Sequence, residues 1–382
     1  MTKISFDKIY KIYFPLAFFA GIINNIDLSL VATKAHWGLS EWLINYSGGF
    51  VRRGLPGEII LKSGFDPRLL SIIISFTALS FLLYYLYKKT KGIFDFYVIL
   101  SPIFMGVVYY GFGYGILRKD IFLVVVFSLL LINISQKKSS FTGAFLISLG
   151  MLTHEMFFFM SVPAITLYLF LTKESLNKYF YFSIYPIVLM LVLVIYKGDE
   201  SIAITINSSL NNYFISYCPN SCSPSGPQAA ISAIGWSTSK GLSLSKQLLS
   251  TPLILMYWFL IVIFSSLISI AYFKDKENVD KWILILIFQF ISISPLFILG
   301  WDFGRWINIW MLTSLIIFIN FKYSIPHVSK IKLSDKLTLL KPLLIIIIIP
   351  SCCLQLDNYL TYHPSKNIID YLFHPTIVLL YK

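Results

Sequence analysis

The sequence predicts an all-α, polytopic transmembrane helical bundle. The chain has 382 residues, of which 57% are apolar and only 13% are charged, whereas soluble domains carry about 45–50% apolar and about 25% charged residues. The apolar residues form long uninterrupted runs, which excludes a transmembrane β-barrel because barrel strands alternate over segments of about ten residues. The same composition excludes a soluble enzyme, a disordered regulator and a disulfide-stabilised secreted domain.

Long apolar runs, separated by polar or Gly- and Pro-containing segments, predict about eleven spans. Their predicted bounds are 12–31, 69–87, 93–110, 121–134, 141–152, 156–171, 179–196, 252–273, 282–299, 307–320 and 339–354. The fourth and fifth runs are too short to cross about 30 Å of hydrocarbon directly. Backbone interrupted at membrane depth lines a cavity or lies inside protein, so we expect a cavity that opens to the outer face and is lined by Arg, Asp, Glu and His side chains. The first run lacks a small-residue cleavage site and is expected to be a retained helix.

The basic residues predict the orientation of this bundle. Eighteen of the 31 basic residues fall on one side of the predicted bilayer, and all eighteen are Lys. The positive-inside rule then places the N-terminus inside and the C-terminus outside. Within one membrane domain, 1–382, the segment 32–68 becomes the first outer loop, 197–250 a long outer loop, and 355–382 an outer interfacial segment. Topology explains most of the net charge of +13, so we expect no nucleic-acid partner.

The predicted outer side also holds every Arg in the chain, namely Arg52, Arg53, Arg68, Arg118 and Arg305. A planar guanidinium matches phosphate and carboxylate groups, whereas Lys is a flexible point charge. This separation favours an anionic ligand at the outer side over a chance distribution of five residues.

The first outer loop combines aromatic residues, a Gly pair and twin Arg. Trp42 precedes Arg52 and Arg53, and Glu58 begins an apolar run after a Pro-Gly pair, which predicts a short or re-entrant helix. Glycine permits close approach of a ligand to the backbone, and aromatic rings can stack on sugars. An interfacial loop whose aromatic residues belong to the lipid belt is the alternative.

Two further outer segments carry ionisable residues at the ends of apolar runs. Arg118 and Lys119 precede a helix, where free N–H groups add to their charge and favour an anion; Asp120 is a helix cap or a partner of Arg118. No βα unit precedes the nearby glycines, so a dinucleotide loop is excluded. His154 and Glu155 are candidates for acid–base chemistry or for a buried pair with Arg. The zinc-protease spacing is absent here, and we predict no metal.

The last outer segment contains Asp302 and Arg305, which are three residues apart and are expected to pair on a helical turn. Trp301 and Trp306 flank them and suit either a sugar platform or the interface belt. In the long outer loop, the spacing of Cys218 and Cys222 predicts a disulfide in an oxidising compartment.

With these Arg-bearing outer loops, about eleven helices and an Ile/Phe/Tyr/Lys/Asn-rich composition, the chain resembles bacterial O-antigen and capsular polysaccharide polymerases of the Wzy type. More broadly, it resembles GT-C membrane glycosyltransferases. The resemblance implies polymerisation of undecaprenyl-diphosphate-linked repeat units on the periplasmic face of the bacterial inner membrane, without a cofactor. Implied partners are the lipid-linked glycan, the bilayer and other polysaccharide-assembly membrane proteins. GT-C enzymes usually carry an acidic residue in the first outer loop, where Glu41 and Glu58 are the candidates.

The hypothesis gives each candidate residue a role. Arg52, Arg53, Arg118, Lys119 and Arg305 are expected to bind the diphosphate. Acid–base candidates are Asp302, Glu155, Glu58 and His154, and sugar-stacking candidates are Trp42, Trp301 and Trp306. One alternative is a transferase that uses a polyprenyl-phosphate sugar. Another is a transporter or flippase of an anionic or lipid-linked solute, although the sequence shows no internal repeat of the kind such proteins carry.

Overall fold

The computed structural model describes residues 37–90, 116–213, 226–249, 276–300 and 302–321, which contain helices and no strand. The prediction of an all-α fold is confirmed for these residues. Numbered in chain order, the described helices are α1 (Trp37–Trp42), α2 (Leu55–Lys62), α3 (Pro67–Lys89), α4 (Asp120–Ser135), α5 (Ser140–Thr153), α6 (Met156–Leu171), α7 (Leu176–Ile195), α8 (Glu200–Ser209), α9 (Ala229–Ser232), α10 (Thr238–Leu249), α11 (Lys276–Leu299) and α12 (Phe303–Phe321).

Four of the described helices, α3, α7, α11 and α12, are long and apolar enough to cross a membrane. They correspond to the second, seventh, ninth and tenth predicted spans, and they indicate a membrane protein. The fourth, fifth and sixth predicted runs form α4, α5 and α6, with 16, 14 and 16 residues. The first, third, eighth and eleventh predicted spans lie outside the described residues, as does the predicted segment 355–382.

Local sequence explains where the helices begin. The side chain of Asp66 accepts hydrogen bonds from the backbone N–H groups of Arg68 and Leu69, and Pro67 occupies the first position of α3. Both features favour a helix start, because they satisfy or remove N–H groups that have no partner within the helix. Asp199 caps α8 in the same way, through the N–H of Ile202.

Helix α12 is the central element of the described bundle. Its membrane-length window is 89% buried, compared with 39% for α3 and α11 and 22% for α7. It packs against α11, α4 and α6. The buried Gln289 of α11 links three of these helices, since its Nε2 donates to the carbonyl of Met160 at 2.8 Å and to Thr313 Oγ1 at 2.9 Å.

The outer helices expose apolar side chains. Ile187, Val188, Leu191 and Val194 of α7 are all exposed. A monomeric soluble protein rarely exposes a large contiguous apolar surface, so this face is suited to contact with hydrocarbon.

The predicted long outer loop is partly helical. It contains α8, α9 and α10 within 197–250. The N–H of Ala230 in α9 donates to Ser40 Oγ of α1 at 3.1 Å, and Ser245 Oγ of α10 donates to the carbonyl of Gly300. The segment 226–249 therefore contacts both α1 and the junction between α11 and α12.

A close backbone approach positions the segment between α1 and α2. A Cβ atom on Gly57 in α2 would collide with the carbonyl group of Ile44, which is backbone and has little freedom to move. A Cβ atom on Gly143 in α5 would instead meet the ring of Phe182, a buried side chain that is still freer to shift than backbone.

We therefore predict that Gly57→Ala lowers the free energy of unfolding by about 1–3 kcal/mol, the usual cost of overpacking. Gly143→Ala is the matched control. It should cost less, because the ring can move and alanine favours a helix over glycine by about 1 kcal/mol. Denaturation of both purified variants in detergent measures the difference, and an equal loss of stability would contradict this account.

Candidate active site

Charged side chains from five separate parts of the chain meet at one end of the described bundle. Helix α1 contributes one acid, the loop before α2 contributes the twin Arg, and the N-terminal ends of α4, α6 and α12 contribute the remainder. We call this group the charge cluster, and its members are Glu41, Arg52, Arg53, Arg118, Lys119, Asp120, Glu155, Asp302 and Arg305.

The inner part of the charge cluster is built around Arg305. Its Nε and Nη2 donate to the two carboxylate oxygens of Asp120, both at 2.6 Å, and its Nη1 donates to Asp302 at 2.9 Å. The predicted pairing of Asp302 with Arg305 is confirmed. Arg118 also donates to Asp302, at 3.4 Å, and Glu41 Oε1 lies 3.9 Å from the guanidinium nitrogens of both Arg305 and Arg118. A buried guanidinium needs such paired carboxylates because its desolvation is costly.

The more exposed part of the charge cluster is built around Glu155. Arg53 donates to both of its carboxylate oxygens, with Nε at 2.7 Å from Oε2, and Arg52 Nη1 lies 3.3 Å from Oε1. The guanidinium groups of Arg52 and Arg53 are more accessible than those of the inner part. Exposed fractions are 25% for Arg52, 19% for Arg53 and 13% for Glu155, compared with 4–5% for Arg118 and Arg305. Arg52 and Arg53 are therefore the guanidinium groups of the charge cluster that a ligand can contact most readily.

Lys119 links the loop that contains Arg53 to the end of α5 at Thr153. Its fully buried Nζ donates to the carbonyl of Arg53 at 3.0 Å and to the carbonyl of Thr153 at 3.2 Å. Desolvation lowers the pKa of Lys119 to about 7, although Glu41 opposes the shift. A neutral amine still has two N–H groups for the two carbonyls, so this link persists when the proton is lost.

His154 stabilises the start of α6. Its Nδ1 accepts a hydrogen bond from the N–H of Met156 at 3.1 Å, which requires an unprotonated Nδ1. Burial, together with Arg53, lowers the pKa of His154 well below its ordinary value. The imidazole is therefore neutral, and its remaining polar group, Nε2–H, is a donor.

The two more accessible carboxylates of the charge cluster are held in their ionised forms. Burial by itself raises the pKa of Glu155, but Arg53 and Arg52 hold it well below its usual range. Burial likewise raises the pKa of Asp302, while Arg118 and Arg305 hold it below its ordinary value. Both side chains are therefore acceptors of hydrogen bonds, not acids, at neutral pH.

The backbone of Arg53 adopts a conformation that is unusual for a residue with a side chain. Its φ is +68°, in the left-handed region that favours glycine. Such residues cost about 1–3 kcal/mol and cluster at functional sites. The preceding N–H, that of Arg52, donates to the carbonyl of Tyr196 at 2.9 Å, so the end of α7 helps to hold this loop.

Not every predicted site residue joins the charge cluster. Glu58 contacts Lys62 at 2.8 Å and accepts from the N–H of Tyr46 at 2.9 Å. Trp42 is 1% exposed, donates through Nε1 to the carbonyl of Leu117 and packs edge-on against Phe122. The Trp42 ring thus packs in the protein interior, and we no longer assign it to sugar stacking.

Trp306 is also buried. It is 7% exposed and packs edge-on against Phe297, with a centroid distance of 5.3 Å, so its ring is likewise no longer assigned to a sugar. Trp301, Cys218 and Cys222 lie outside the described residues. A pair of partly exposed indoles, Trp37 and Trp236, has a centroid distance of 6.1 Å.

Sequence reasoning did not assign two acidic members of the charge cluster to the site. The sequence predicts that Asp120 caps its helix or pairs with Arg118, and the structure pairs it with Arg305 from a distant part of the chain. Glu41 is a candidate only through the resemblance to GT-C enzymes. The available signal was an acid within an otherwise apolar stretch. Among the described residues, no group of three or more His, Cys, Asp or Glu side chains is placed to hold a metal ion.

Comparisons with known proteins found no match among protein-family models, curated proteins or solved structures.

The buried Lys119 generates a prediction about pH. Because its pKa is about 7 in the folded protein and 10.5 unfolded, the unfolded state binds more protons between these values. We therefore expect the free energy of unfolding to gain up to about 1.4 kcal/mol per pH unit from this group as pH rises from 7 to 10. Lys119→Met removes this contribution. The difference in the free energy of unfolding between the wild type and Lys119→Met should therefore grow with pH. Chemical denaturation in detergent at several pH values measures it.

Two carbonyls lose their donor in Lys119→Met, which adds about 1–3 kcal/mol of destabilisation. Lys178→Met, which removes a more exposed ion pair with Glu174, is the control and should change the free energy by less than about 1 kcal/mol. A deficit for Lys119→Met that is constant across pH 7–10 would contradict the assignment.

Proposed function

We propose that this chain is a multi-pass glycosyltransferase of the bacterial inner membrane. It polymerises oligosaccharide repeat units linked to undecaprenyl diphosphate, and it does so at the charge cluster on the extracytoplasmic side. The observation that carries the proposal is the partly exposed pair of guanidinium groups, Arg52 and Arg53, placed beside the ionised carboxylate of Glu155. A second ionised carboxylate, Asp302, belongs to the same charge cluster, where it faces Arg118 and Arg305.

The guanidinium groups suit the leaving group of such a reaction. When the bond between the anomeric carbon and the diphosphate oxygen breaks, negative charge develops on the diphosphate. Arg52 and Arg53 present planar donors that match phosphate oxygens, and fixed charges of this kind stabilise a developing charge in a partly desolvated site. The inner pairs of Arg305 and Arg118 hold the surrounding helix ends in place behind them.

The carboxylates suit the attacking group. A sugar hydroxyl becomes a better nucleophile when a carboxylate within hydrogen-bond distance accepts its proton. Glu155 and Asp302 are ionised and 13–15% exposed. His154 is a weaker candidate because its Nδ1 is already engaged with the N–H of Met156, and Glu58 because it pairs with Lys62.

The partly exposed rings of Trp37 and Trp236 are suited to contact the glycan. Trp37 lies four residues before Glu41 in α1, so the two residues share one helix face. Aromatic side chains offer flat apolar surfaces with a polar edge, which suits a pyranose ring next to the charge cluster.

The alternatives make different predictions. A transferase that uses polyprenyl-phosphate sugars would add single sugars and would not extend a polymer. A flippase would move a lipid-linked solute without breaking a glycosidic bond. The clustering of charge at one end of the described helices favours chemistry at a membrane surface over passage through the midplane, where transporters usually place their sites.

Substitution of Arg53 tests the proposed function. We expect Arg53→Ala to lower the yield of long-chain glycan by about 100-fold or more, as removal of one charge-stabilising donor commonly does. Arg68→Ala is the matched control, because Arg68 pairs locally with Asp66 and is expected on the same side of the membrane. The measurement is the length distribution of surface glycan in a strain that lacks the gene and carries each variant at equal membrane abundance.

A purified sample separates the alternatives. Wild-type protein in lipid should lengthen an undecaprenyl-diphosphate-linked glycan and release undecaprenyl diphosphate. Addition of single sugars only, or movement of the lipid without product, would replace the proposal with one of the two alternatives.

The proposed orientation has its own test. A cysteine that replaces the exposed Ser63, between α2 and α3, should react with a membrane-impermeant thiol reagent in intact spheroplasts, whereas one that replaces the exposed Lys138, between α4 and α5, should not. The four native cysteines are replaced first. The opposite labelling pattern would place the charge cluster on the cytoplasmic side and remove the proposed reaction from the extracytoplasmic face.

A further inference from the structure

The Arg53 guanidinium is paired with a carboxylate of the same chain. Its Nε and Nη2 donate to the two oxygens of Glu155, and Arg52 Nη1 approaches the same carboxylate at 3.3 Å. This two-point arrangement is also the one in which a guanidinium binds two oxygens of a phosphate. Glu155 therefore fills the position that an incoming phosphate would need.

The Glu155 pairing is also accessible and incompletely satisfied. Arg52, Arg53 and Glu155 are exposed by 13–25%, whereas Asp120, paired with Arg305, is only 1% exposed. Arg52 Nε is buried and has no hydrogen-bond partner among the described residues. An unsatisfied buried donor costs free energy, so an additional acceptor at this position would be favourable.

We infer that Glu155 is a resident anion of a phosphate site: a phosphate of the lipid-linked diphosphate displaces its carboxylate from Arg52 and Arg53, and the displaced carboxylate then accepts the proton of the attacking hydroxyl. The inference rests on the proposed function and adds to it an order of events. Phosphate arrival precedes activation of the hydroxyl.

The chemical step balances without a further reactant. The hydroxyl oxygen of the acceptor sugar forms a bond to the anomeric carbon of the donor, and its proton passes to Glu155. The bond from the anomeric carbon to the diphosphate oxygen breaks, and its electron pair leaves with the diphosphate, which remains paired with Arg52 and Arg53.

Electrostatics explains why displacement matters. While Arg53 and Arg52 face Glu155, with the neutral His154 beside it, the carboxylate is a weak base. Once a phosphate neutralises the two guanidinium groups, the charges that stabilised the carboxylate are compensated, and its affinity for a proton rises. The base is therefore weak in the empty site and stronger in the occupied one, which limits reaction with water when no substrate is bound.

Measurements of pyrophosphate binding and of glycan transfer distinguish this role of Glu155 from a purely structural one. We expect Glu155→Gln to bind inorganic pyrophosphate about 10-fold more tightly than the wild type in titration calorimetry, because a competing anion is removed. We also expect its rate of glycan transfer to fall by about 100-fold or more. Glu174→Gln is the matched control, since Glu174 pairs with Lys178 at the far end of α6, about 24 Å away along 16 residues; it should alter neither quantity.

A structural role gives the opposite binding result. If Glu155 only holds Arg53 in place, Glu155→Gln would bind pyrophosphate no better than the wild type, and the inference is overturned. Unchanged transfer by Glu155→Gln also overturns it. Glu155→Asp provides a second variant should the amide fail to fold: its shorter carboxylate should compete less well for Arg53, so pyrophosphate should bind more tightly than to the wild type, with part of the transfer activity retained.

Undecaprenyl diphosphate serves as the second probe. An equal gain for the lipid and for inorganic pyrophosphate in Glu155→Gln assigns the site to the diphosphate group, whereas a gain for the lipid alone contradicts displacement by phosphate charge. If binding behaves as expected but the wild type transfers no glycan, the proposed function fails while the phosphate site stands.

Discussion

The described structure depends on one constraint, which is that charged groups buried between helix ends have to be neutralised by one another. Five basic and four acidic side chains form the charge cluster. An isolated buried charge would cost several kcal/mol, and removal of one partner from a buried pair commonly costs about 3–5 kcal/mol. Each pairing between distant segments therefore restricts how the helices that carry it can be placed.

The pairings explain why α12 lies at the centre. Its Arg305 contacts Asp120 at the start of α4, and the residue that precedes α12, Asp302, contacts Arg118. The segment between α1 and α2 is held through Arg53, which contacts Glu155 at the start of α6 and Lys119. Apolar contacts along the helices are not directional, so several placements of the helices could bury a similar area. The ion pairs have defined partners, and they select one arrangement of the helix ends.

The ion pairs of the charge cluster differ in how far they are exposed. Arg305 and Asp120 are buried and form two hydrogen bonds with each other. This arrangement is that of a structural ion pair. Arg53 and Glu155 have similar geometry but remain partly accessible, and Arg53 has a strained backbone. A ligand that carries negative charge can replace the carboxylate in such a pair with little loss of interaction, because guanidinium–phosphate and guanidinium–carboxylate contacts are similar in kind.

Apolar composition and long apolar runs were sufficient to predict an all-α chain with membrane-length helices, since a helix in hydrocarbon satisfies its own backbone. The segregation of Arg from Lys grouped all five Arg residues on one predicted side. Four of them, Arg52, Arg53, Arg118 and Arg305, lie in the charge cluster, whereas Arg68 pairs locally with Asp66. Only the tertiary structure decided which acid from a distant segment each Arg of the charge cluster faces, and that Trp42 packs in the interior, because those outcomes depend on contacts between residues more than 70 positions apart. Sequence spacing determines neighbours within a helical turn, as for Asp302 and Arg305, while pairing across helices follows from how the helix ends pack.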